Sequence, residues 1–182
     1  DQSKFGGTSA TFNGSNYLQI VDVNQVANFD LGTSDFTIEA FVRLNSMPTS
    51  DSWPAGYFNT MMVFTKGSPS AADGYGFLIG QTQLIFEVAD VVIINGTHGM
   101  TTNTWYHIVV TRKSSTGTKI YINGALSTSD TNIINPSYTI AYSCIGAAQY
   151  NNNLLDWYVS NGSKLDSVNV WNKELTQSEV TE

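Results

Sequence analysis

The sequence predicts an all-β fold, an antiparallel β-sandwich of the jelly-roll kind with two stacked sheets and a short C-terminal helical turn. Apolar residues recur with a period of two through many short segments, which is the pattern of half-buried strands. These segments follow one another closely, with turn residues between them and no helical period, as is typical of antiparallel sandwiches. The length of 182 residues suits one such domain spanning residues 1–182.

Three segments show the strand pattern most clearly. In Phe36–Leu44 the even-numbered positions are apolar, and the opposite face carries Thr37, Glu39, Phe41 and Arg43. In Trp105–Arg112 the apolar face consists of Tyr106, Ile108 and Val110. The third segment, Lys119–Ile122, leads through Asn123-Gly124 into Ala125–Thr128, and Asn-Gly between two such runs predicts a tight β-hairpin.

The remaining predicted elements are shorter. Further strands are expected at Ser9–Phe12, Tyr17–Val21, Met61–Thr65, Tyr75–Ile79, Gln83–Val88, Val91–Ile94, Tyr138–Ile145 and Lys164–Trp171. Thr176 followed by Glu179 has the spacing of a capping box and predicts the terminal helical turn. Cys144 is the only cysteine, which excludes an intrachain disulfide, and its apolar neighbours predict a small buried side chain.

Charge and hydropathy exclude several classes of function. The net charge is −7 and the eight Lys and Arg residues do not cluster, so the basic patch that nucleic-acid binding requires is missing. No run of eighteen apolar residues occurs, so we expect no insertion into a membrane. Only 13% of the residues are charged, and Asn, Ser, Thr and Gly, which favour turns over long helices, take their place.

Several blocks, taken in order, resemble the laminin G-like, concanavalin A-like jelly-roll domains. They are Phe12–Tyr17, Phe36–Arg43, Asn103–Thr111, Lys119–Gly124, Cys144–Gly146 and Leu165–Trp171, the last followed by Leu175 and Glu179-Val180. The resemblance implies two stacked antiparallel sheets, adjacent first and last strands, and loops at the rim. Such domains are mostly carbohydrate- or protein-binding modules of secreted and surface proteins, and some hold calcium.

Catalytic patterns are missing from the sequence. A glycosidase needs two carboxyl groups facing one cleft, but Glu87 and Asp90 are three residues apart and Glu39 stands alone. No nucleophile elbow or dinucleotide-binding glycine pattern occurs, and His98 and His107 have no nearby partner that would suggest a zinc site. We therefore expect neither an enzyme nor an organic cofactor.

The sequence and the resemblance together predict a non-catalytic, lectin-like module of a secreted, cell-surface or virion protein, with a glycan or glycoprotein surface as its partner. The alternative is a structural or adhesive module that contacts other proteins, and a glycoside hydrolase is the least favoured interpretation. Trp105 and Tyr106 are expected to fill the core and the sheet surface, and His107 is expected to be structural.

Two long loops, Asn45–Asn59 and Ala148–Asn161, are the predicted ligand-binding regions, because loops of this length are commonly functional. Aromatic faces stack on sugar rings, while amides and carboxylates pair with sugar hydroxyls. The residues with these properties are Trp53, Tyr57, Tyr150, Asn152, Asp156 and Trp157. The alternative is that the aromatic side chains pin the loops onto the sandwich.

The resemblance also implies a structural calcium ion, with Asp166 as its carboxylate ligand. Asn13, in the opening hairpin, is expected to lie beside Asp166 if the first and last strands pair. Calcium prefers oxygen ligands with negative charge, and Asn13 and Ser167 stand where the family commonly has acids. The alternative role for Asp166 is to accept hydrogen bonds from a turn.

Overall fold

The computed structural model describes residues 3–20, 29–51, 60–68, 73–89, 91–135, 142–150, 153–155, 159–160 and 162–181. The strands, in chain order, are β1 (Ala10–Thr11), β2 (Leu18–Ile20), β3 (Phe36–Arg43), β4 (Met61–Ser68), β5 (Asp73–Ile79), β6 (Gln83–Val88), β7 (Val91–Thr97), β8 (Trp105–Lys113), β9 (Gly117–Ile122), β10 (Ala125–Asp130), β11 (Ser143–Ile145), β12 (Ala148–Tyr150), β13 (Asn153–Leu155) and β14 (Lys164–Trp171). The helix α1 spans Gln177–Thr181.

Two antiparallel sheets form the sandwich. The first sheet has the order β1-β14-β3-β8-β9-β10, and the second has the order β2-β11-β4-β5-β6-β7. Strands β12 and β13 form a separate two-stranded hairpin. The pairing of β1 with β14 places Ala10 opposite Leu165, so the first and last strands are adjacent, as the family resemblance implied.

The core lies between the inner faces of the two sheets. Alternate residues of β3 point into it, and those of β5 and β6 meet them from the opposite sheet. Across the core, the Phe36 ring lies 5.9 Å from the Tyr75 ring and 5.7 Å from the Phe86 ring, measured between centroids. Cys144 is buried, and burial raises the pKa of its thiol to about 12, so it behaves as the small apolar side chain that the sequence predicts.

The structure confirms the predicted fold class and most of the predicted strands. At the predicted hairpin, Asn123 and Gly124 have φ of 49° and 78°, which is the left-handed pair that this tight turn requires. At α1, the Thr176 hydroxyl accepts from the Glu179 amide at 3.4 Å and the Thr176 amide donates to the Glu179 carboxylate at 2.8 Å, which confirms the capping box.

Two local predictions need correction. The segment Ala148–Asn161 was expected to be a loop, but part of it forms the β12–β13 hairpin, in which Ala148 pairs with Leu155. The strand expected at Tyr138–Ile145 is described only as β11, since residues 138–141 lie outside the described part of the chain. Among the described residues, no helical segment has the length and apolar character to cross a bilayer.

Candidate functional site

The outer face of the first sheet carries charged, polar and aromatic side chains close to one another. Because β3 directs its apolar residues inward, Glu39 and Phe41 point outward. Strand β8 pairs with β3 so that His107 lies opposite Phe41 and Trp105 lies opposite Arg43. The pairing therefore places a carboxylate, an imidazole and two aromatic rings on one surface.

A β-bulge in β14 adds two more side chains to this surface. The register shifts between Asp166 and Asn169, and Ser167 takes a positive φ of 48° within the shift. In a regular strand Asp166 and Asn169 would face opposite sides of the sheet. The extra residue restores Asn169 and Trp171 to the outer face, where Asn169 pairs with Glu39.

Glu39 is the centre of a hydrogen-bond network. Its carboxylate accepts from His107 Nε2 at 3.1 Å, from Asn169 Nδ2 at 3.0 Å and from Trp171 Nε1 at 2.9 Å. Burial favours the neutral acid, but the hydrogen bonds from His107, Trp171 and Asn169 outweigh it and hold the pKa of Glu39 below its ordinary value. Glu39 is therefore ionised at neutral pH, and its three partners are held in fixed orientations.

Aromatic rings form a continuous row beside this network. The Phe41 and His107 rings stack at 4.5 Å with an angle of 11° between their planes. Phe5 meets Phe41 edge-on at 4.8 Å, and the Lys4 ammonium lies 5.6 Å from the Phe41 ring centre. Phe5 is 62% exposed, so one end of the row is open to solvent.

Residues 3–5 form one wall above the sheet, and Asp166 holds them there. One oxygen of the Asp166 carboxylate accepts from the Ser3 hydroxyl and from the Lys4 amide, each at 3.0 Å. The Phe5 amide in turn donates to the Ser3 hydroxyl at 3.1 Å. This chain of bonds fixes Phe5 over Phe41.

Helix α1 forms the opposite wall. Leu175 and Val180 pack on Val109 and Tyr121, which lie on the outer face of the sheet. The Lys173 ammonium and the Thr176 amide both bind the Glu179 carboxylate, and these bonds lower the pKa of Glu179 to about 2. These bonds close the first turn of the helix, and the packing of Leu175 and Val180 holds it against β8 and β9.

Between the two walls lies a cleft of about 660 Å³. Its floor consists of Glu39, Phe41, Trp105, His107 and Asn169, and its sides include Lys4, Phe5, Ser167, Asn123, Gly124, Glu179, Val180 and Thr181. Ligand sites of this volume commonly combine apolar rings with a few oriented polar groups. The cleft offers that combination, and both of its carboxylates have a lowered pKa.

The structure does not test whether the predicted ligand-binding residues contact a ligand. Trp53, Tyr57, Asn152, Asp156 and Trp157 lie outside the described residues. The backbone of Tyr150 ends strand β12, paired with Asn153, and its side chain is outside the description. A role for these residues in binding therefore stays a prediction.

The structure keeps the two predicted calcium ligands apart. Lys164 pairs with Thr11, so Asp166 lies opposite Ser9, four residues or about 13 Å along the strand from Asn13. The Asn13 side-chain oxygen accepts from the Ser15 and Asn16 amides at 2.9 Å each, closing the turn. The register places this turn beyond Lys164, the first residue of β14, so Asn13 is separated from Asp166 along the strand, and a calcium site at these residues stays a prediction.

Asp166 has the hydrogen-bonding role that the sequence offered as its alternative. Both oxygens are occupied, one by Ser3 and Lys4 and the other by the Ser167 hydroxyl at 3.1 Å. A calcium ion at Asp166 would have to replace these donors. Among the described residues, no group of three or more His, Cys, Asp or Glu side chains could hold a metal ion. The donor set therefore fits calcium poorly, and no step of the chemistry is assigned to a metal.

Sequence reasoning missed the residues of the cleft floor. Glu39 stands alone in the sequence, whereas in the sheet it is the diagonal neighbour of His107 on β8, and both side chains line the cleft. The expectation that Tyr106 fills the core is confirmed, whereas Trp105 lines the cleft. One signal was available, since Phe41 is an aromatic residue on the polar face of an alternating strand.

Comparison with known proteins identifies the fold family. A laminin G-type family model, described as the concanavalin A-like lectin/glucanases superfamily, matches residues 12–181. A comparison with curated proteins finds no match. Among solved structures, domain 4 of the extracellular GH43 arabinanase AbnA from Geobacillus stearothermophilus, in complex with arabinotriose, has a TM-score of 0.68 and 19% identity, covering 100% of this chain and 78% of that chain.

Two further structures are similar in fold. A candidate carbohydrate-binding protein from Bacteroides ovatus has a TM-score of 0.66 and 19% identity over 95% of this chain and 45% of that chain. The receptor-binding domain of botulinum neurotoxin type G has a TM-score of 0.56 and 17% identity over 81% of this chain and 37% of that chain. The chain thus corresponds to less than half the length of these two proteins, and the similarity describes the fold.

Proposed function

Since the chain belongs to the concanavalin A-like lectin/glucanases superfamily, we propose that it is a non-catalytic, lectin-like module that binds carbohydrate in the cleft on the outer face of its first sheet. The observation that carries the proposal is the fixed network around Glu39, which lies beside a row of aromatic rings.

The chemistry of the cleft suits a sugar. Pyranose and furanose rings present C–H surfaces that pack on aromatic side chains, and their hydroxyls need oriented donors and acceptors. Trp105 and Phe5 supply aromatic surface, and His107, Asn169 and Asn123 supply polar groups along the floor and side. Since Glu39 fixes His107 and Asn169, little side-chain entropy remains to be lost when a ligand binds.

The state of the carboxylates supports a binding role over glycoside hydrolysis. Glycosidases of the common kind need one carboxyl group that stays protonated and acts as the general acid. Glu39 and Glu179 both line the cleft, and the pKa of each is lowered, so both are ionised at neutral pH. Neither has the raised pKa that a general acid needs.

The comparisons support a glycan partner and a location outside the cell. One similar structure holds arabinotriose and belongs to an extracellular enzyme, and another belongs to a toxin domain that binds a receptor. We therefore assign the module to a secreted or surface protein. The rim residues Trp53, Tyr57, Tyr150, Asn152, Asp156 and Trp157 remain a second proposed region of contact.

Affinity electrophoresis in gels that contain arabinan, xylan, galactan or mannan tests the proposal. Retarded migration in at least one gel is expected, and Trp105→Ala should weaken it by about tenfold or more, since a buried aromatic contact contributes about 1–3 kcal/mol to binding. Leu126→Ala, at a 51% exposed position on β10 that does not line the cleft, is the control.

Two results would contradict this proposal. Absence of retardation in all four gels would remove carbohydrate binding, and release of new reducing ends from a retained polysaccharide would show catalysis. If Trp105→Ala binds normally while Trp53→Ala or Trp157→Ala does not, the rim loops form the site and the cleft does not.

The alternative function is a structural or adhesive module that binds a protein, and the similarity to a toxin receptor-binding domain is the observation that favours it. Treating a bound cell surface with glycosidases separates the two functions. Loss of binding after this treatment supports the lectin, whereas binding that survives it but is abolished by protease supports the protein partner.

A further inference from the structure

Most of the positively charged side chains are held by acceptors of the chain itself, but three of them form no ion pair with a carboxylate of the described residues. The chain has eight Lys and Arg residues against fifteen Asp and Glu residues. The cations that pair with carboxylates are Lys66, Lys113, Lys119 and Lys173. The Arg112 guanidinium donates to the main-chain carbonyls of residues 32 and 34. The three that remain are Lys4, Arg43 and Lys164.

These three cations lie on the outer face of the first sheet. The residues on either side of Arg43 point into the core, so Arg43 itself points outward. Lys164 is opposite Arg43 in the pairing of β14 with β3, which places both side chains on one face. The Lys4 ammonium lies 5.6 Å from the ring centre of Phe41, which is two residues from Arg43 along β3. Lys4, Arg43 and Lys164 therefore form a cation cluster on the β14 side of the cleft.

The cation cluster carries more positive charge than its surroundings neutralise. Like charges directly opposite one another in a sheet repel, and Arg43 and Lys164 occupy such positions. The Lys164 ammonium donates to the uncharged Thr11 hydroxyl at 3.1 Å. Asp166, on the same face of β14, adds one negative charge, and both of its oxygens already accept hydrogen bonds. Although the net charge of the chain is −7, the field on this side of the cleft therefore attracts an anion.

Within the cleft, Lys4 is the charged group that remains available to a ligand. It is exposed, and it is the one Lys or Arg among the described residues that line the cleft. An ammonium group can donate three hydrogen bonds, and the described part of the chain provides no acceptor for that of Lys4. The carboxylates of Glu39 and Glu179, by contrast, already accept from donors of the chain.

We propose that the cleft binds an acidic glycan, and that the carboxylate of a uronic acid, the common acidic sugar of polysaccharides, pairs with the Lys4 ammonium. Such a hydrogen bond is charge-assisted and roughly twice as strong as one between neutral groups. The exposed ring of Phe5, next to Lys4 in the wall, offers aromatic surface to the same sugar. Salt screens charges over about 8–10 Å, so the field of Arg43 and Lys164 adds to the attraction without contact.

This inference rests on the proposed carbohydrate-binding function, and it can fail while that function stands. Glucuronoxylan and polygalacturonan are each compared in the affinity gels with the same polymer after its carboxylates have been reduced to alcohols, which leaves the backbone intact. The acidic form should bind about tenfold more tightly, because only that form offers a charged acceptor to Lys4. Since the chain as a whole is negatively charged, retardation by an anionic polymer requires a local site.

Variants of Lys4 locate the carboxylate. Lys4→Gln removes the charge but keeps the main-chain amide that binds Asp166, and it should lower the ratio of acidic to reduced-polymer affinity about fivefold or more. Lys4→Arg keeps the charge and should retain the preference for the acidic form. Lys113→Gln makes the same change in net charge at a residue that does not line the cleft, and it should leave the ratio unchanged within about twofold.

Arg43→Gln measures the contribution of the field, and it should lower the same ratio by only about twofold. A greater loss than that of Lys4→Gln would overturn the assignment of the carboxylate to Lys4, as would a ratio that Lys4→Gln leaves unchanged. Equal binding of the acidic and reduced polymers overturns the acidic-glycan inference only. No retardation in any gel, neutral or acidic, overturns the proposed function as well.

Discussion

The outer faces of the two sheets differ, because that of the second sheet is covered by more of the chain and that of the first sheet carries a cleft. On the second sheet, Met62, Leu78 and Ile85 form an apolar cluster that is at most 2% exposed, and Ala148 of the β12–β13 hairpin packs against it. On the first sheet, the outer face carries Glu39, His107 and exposed rings, with an open cleft above them. The inner faces of both sheets contribute apolar side chains to one core.

The difference shows that the core of a sandwich constrains only the inward-facing residues of each sheet. The shared core fixes the inner residues, and each outer face is then either covered by more chain or left for other contacts. On the covered face, packing is close enough that a Cβ on Gly76 would lie 2.9 Å from the Glu87 carboxylate. On the open face, residues 3–5 and α1 stand at the sides and leave the middle accessible.

The largest expected effect is on the covered face. Leu78→Ala removes a fully buried side chain from its apolar cluster and should lower the free energy of unfolding by about 2–5 kcal/mol, measured by urea denaturation. Leu126→Ala, exposed on β10, should change it by less than about 0.5 kcal/mol. A loss below about 1 kcal/mol for Leu78→Ala would mean that the hairpin does not cover the sheet as described.

On the open face of the first sheet, the network around Glu39 should contribute less to stability, and more to ligand binding, than the buried cluster around Leu78 does. Glu39→Ala leaves three donors without their acceptor and should cost about 1–3 kcal/mol, towards the lower end because Asn169 and Trp171 reach solvent. Binding in the affinity gels should fall with it. Both quantities are measured on the same variant, by denaturation and by electrophoresis.

Glu39→Gln is the matched variant for this network. The amide oxygen can still accept from Asn169 and Trp171, while its NH₂ group can donate to His107 once the imidazole takes its other tautomer. We expect less than half the loss caused by Glu39→Ala. If Gln and Ala are equally damaging, the charge of Glu39 matters more than the geometry of its bonds.

Alternation predicts from the sequence which residues of the open face point outward. Phe36–Leu44 and Trp105–Arg112 each place their apolar residues on one side, so Glu39 and His107 had to face away from the core. The bulge in β14 also has a trace in the sequence, because Leu165, Val168 and Val170 break the period of two. These features are local, and local patterns can be read without a structure.

The walls of the cleft could not be predicted in the same way. Asp166 binds Ser3 and Lys4 across more than 160 positions of the sequence, and Val180 meets Val109 only after the sheet has formed. The hydrogen bond from the Trp171 indole to Glu39 likewise joins residues that are far apart in the sequence. Such contacts follow from strand order and register, which single segments do not determine.

Lowering the pH should destabilise α1 and the first sheet before it destabilises the second sheet. Ser114 binds the Asp35 carboxylate through its amide and hydroxyl, with help from Lys113, and lowers the pKa of Asp35 to about 2. The pKa of Glu179 is also about 2. The unfolded chain binds these protons at higher pH, so the stabilisation is complete above about pH 4.5 and is lost as the pH falls towards 2.

Hydrogen exchange at pH 3 compared with pH 6 measures this difference. Amide protection in α1 should decrease at pH 3, whereas that of β5, beneath the apolar cover, should change less. Glu179→Gln is expected to lower the protection of α1 at pH 6 and to make it nearly independent of pH. Earlier opening of β5 than of α1 would contradict the assignment of acid sensitivity to the first sheet.

The smallest expected effect is that of calcium. A ligand at one hundred times its dissociation constant adds about 2.7 kcal/mol to stability, which for a domain of this size is several degrees in melting temperature. Because three donors already occupy the Asp166 carboxylate and Asn13 lies elsewhere, excess calcium should produce a much smaller shift. A thermal melt with calcium and then with EDTA measures it, and a rise of several degrees that Asp166→Ala abolishes would establish the calcium site.

Without calcium, Asp166→Ala still tests the wall that Asp166 holds. Loss of the carboxylate frees the Ser3 hydroxyl and the Lys4 amide, so Phe5 should no longer be fixed over Phe41 and glycan binding should weaken. Asp166→Asn keeps one acceptor oxygen for these donors and should bind better than Asp166→Ala, by about twofold to fivefold for a partly retained hydrogen bond. If both variants bind as the wild type does, residues 3–5 do not position the ligand, and the cleft depends on its floor and on α1 alone.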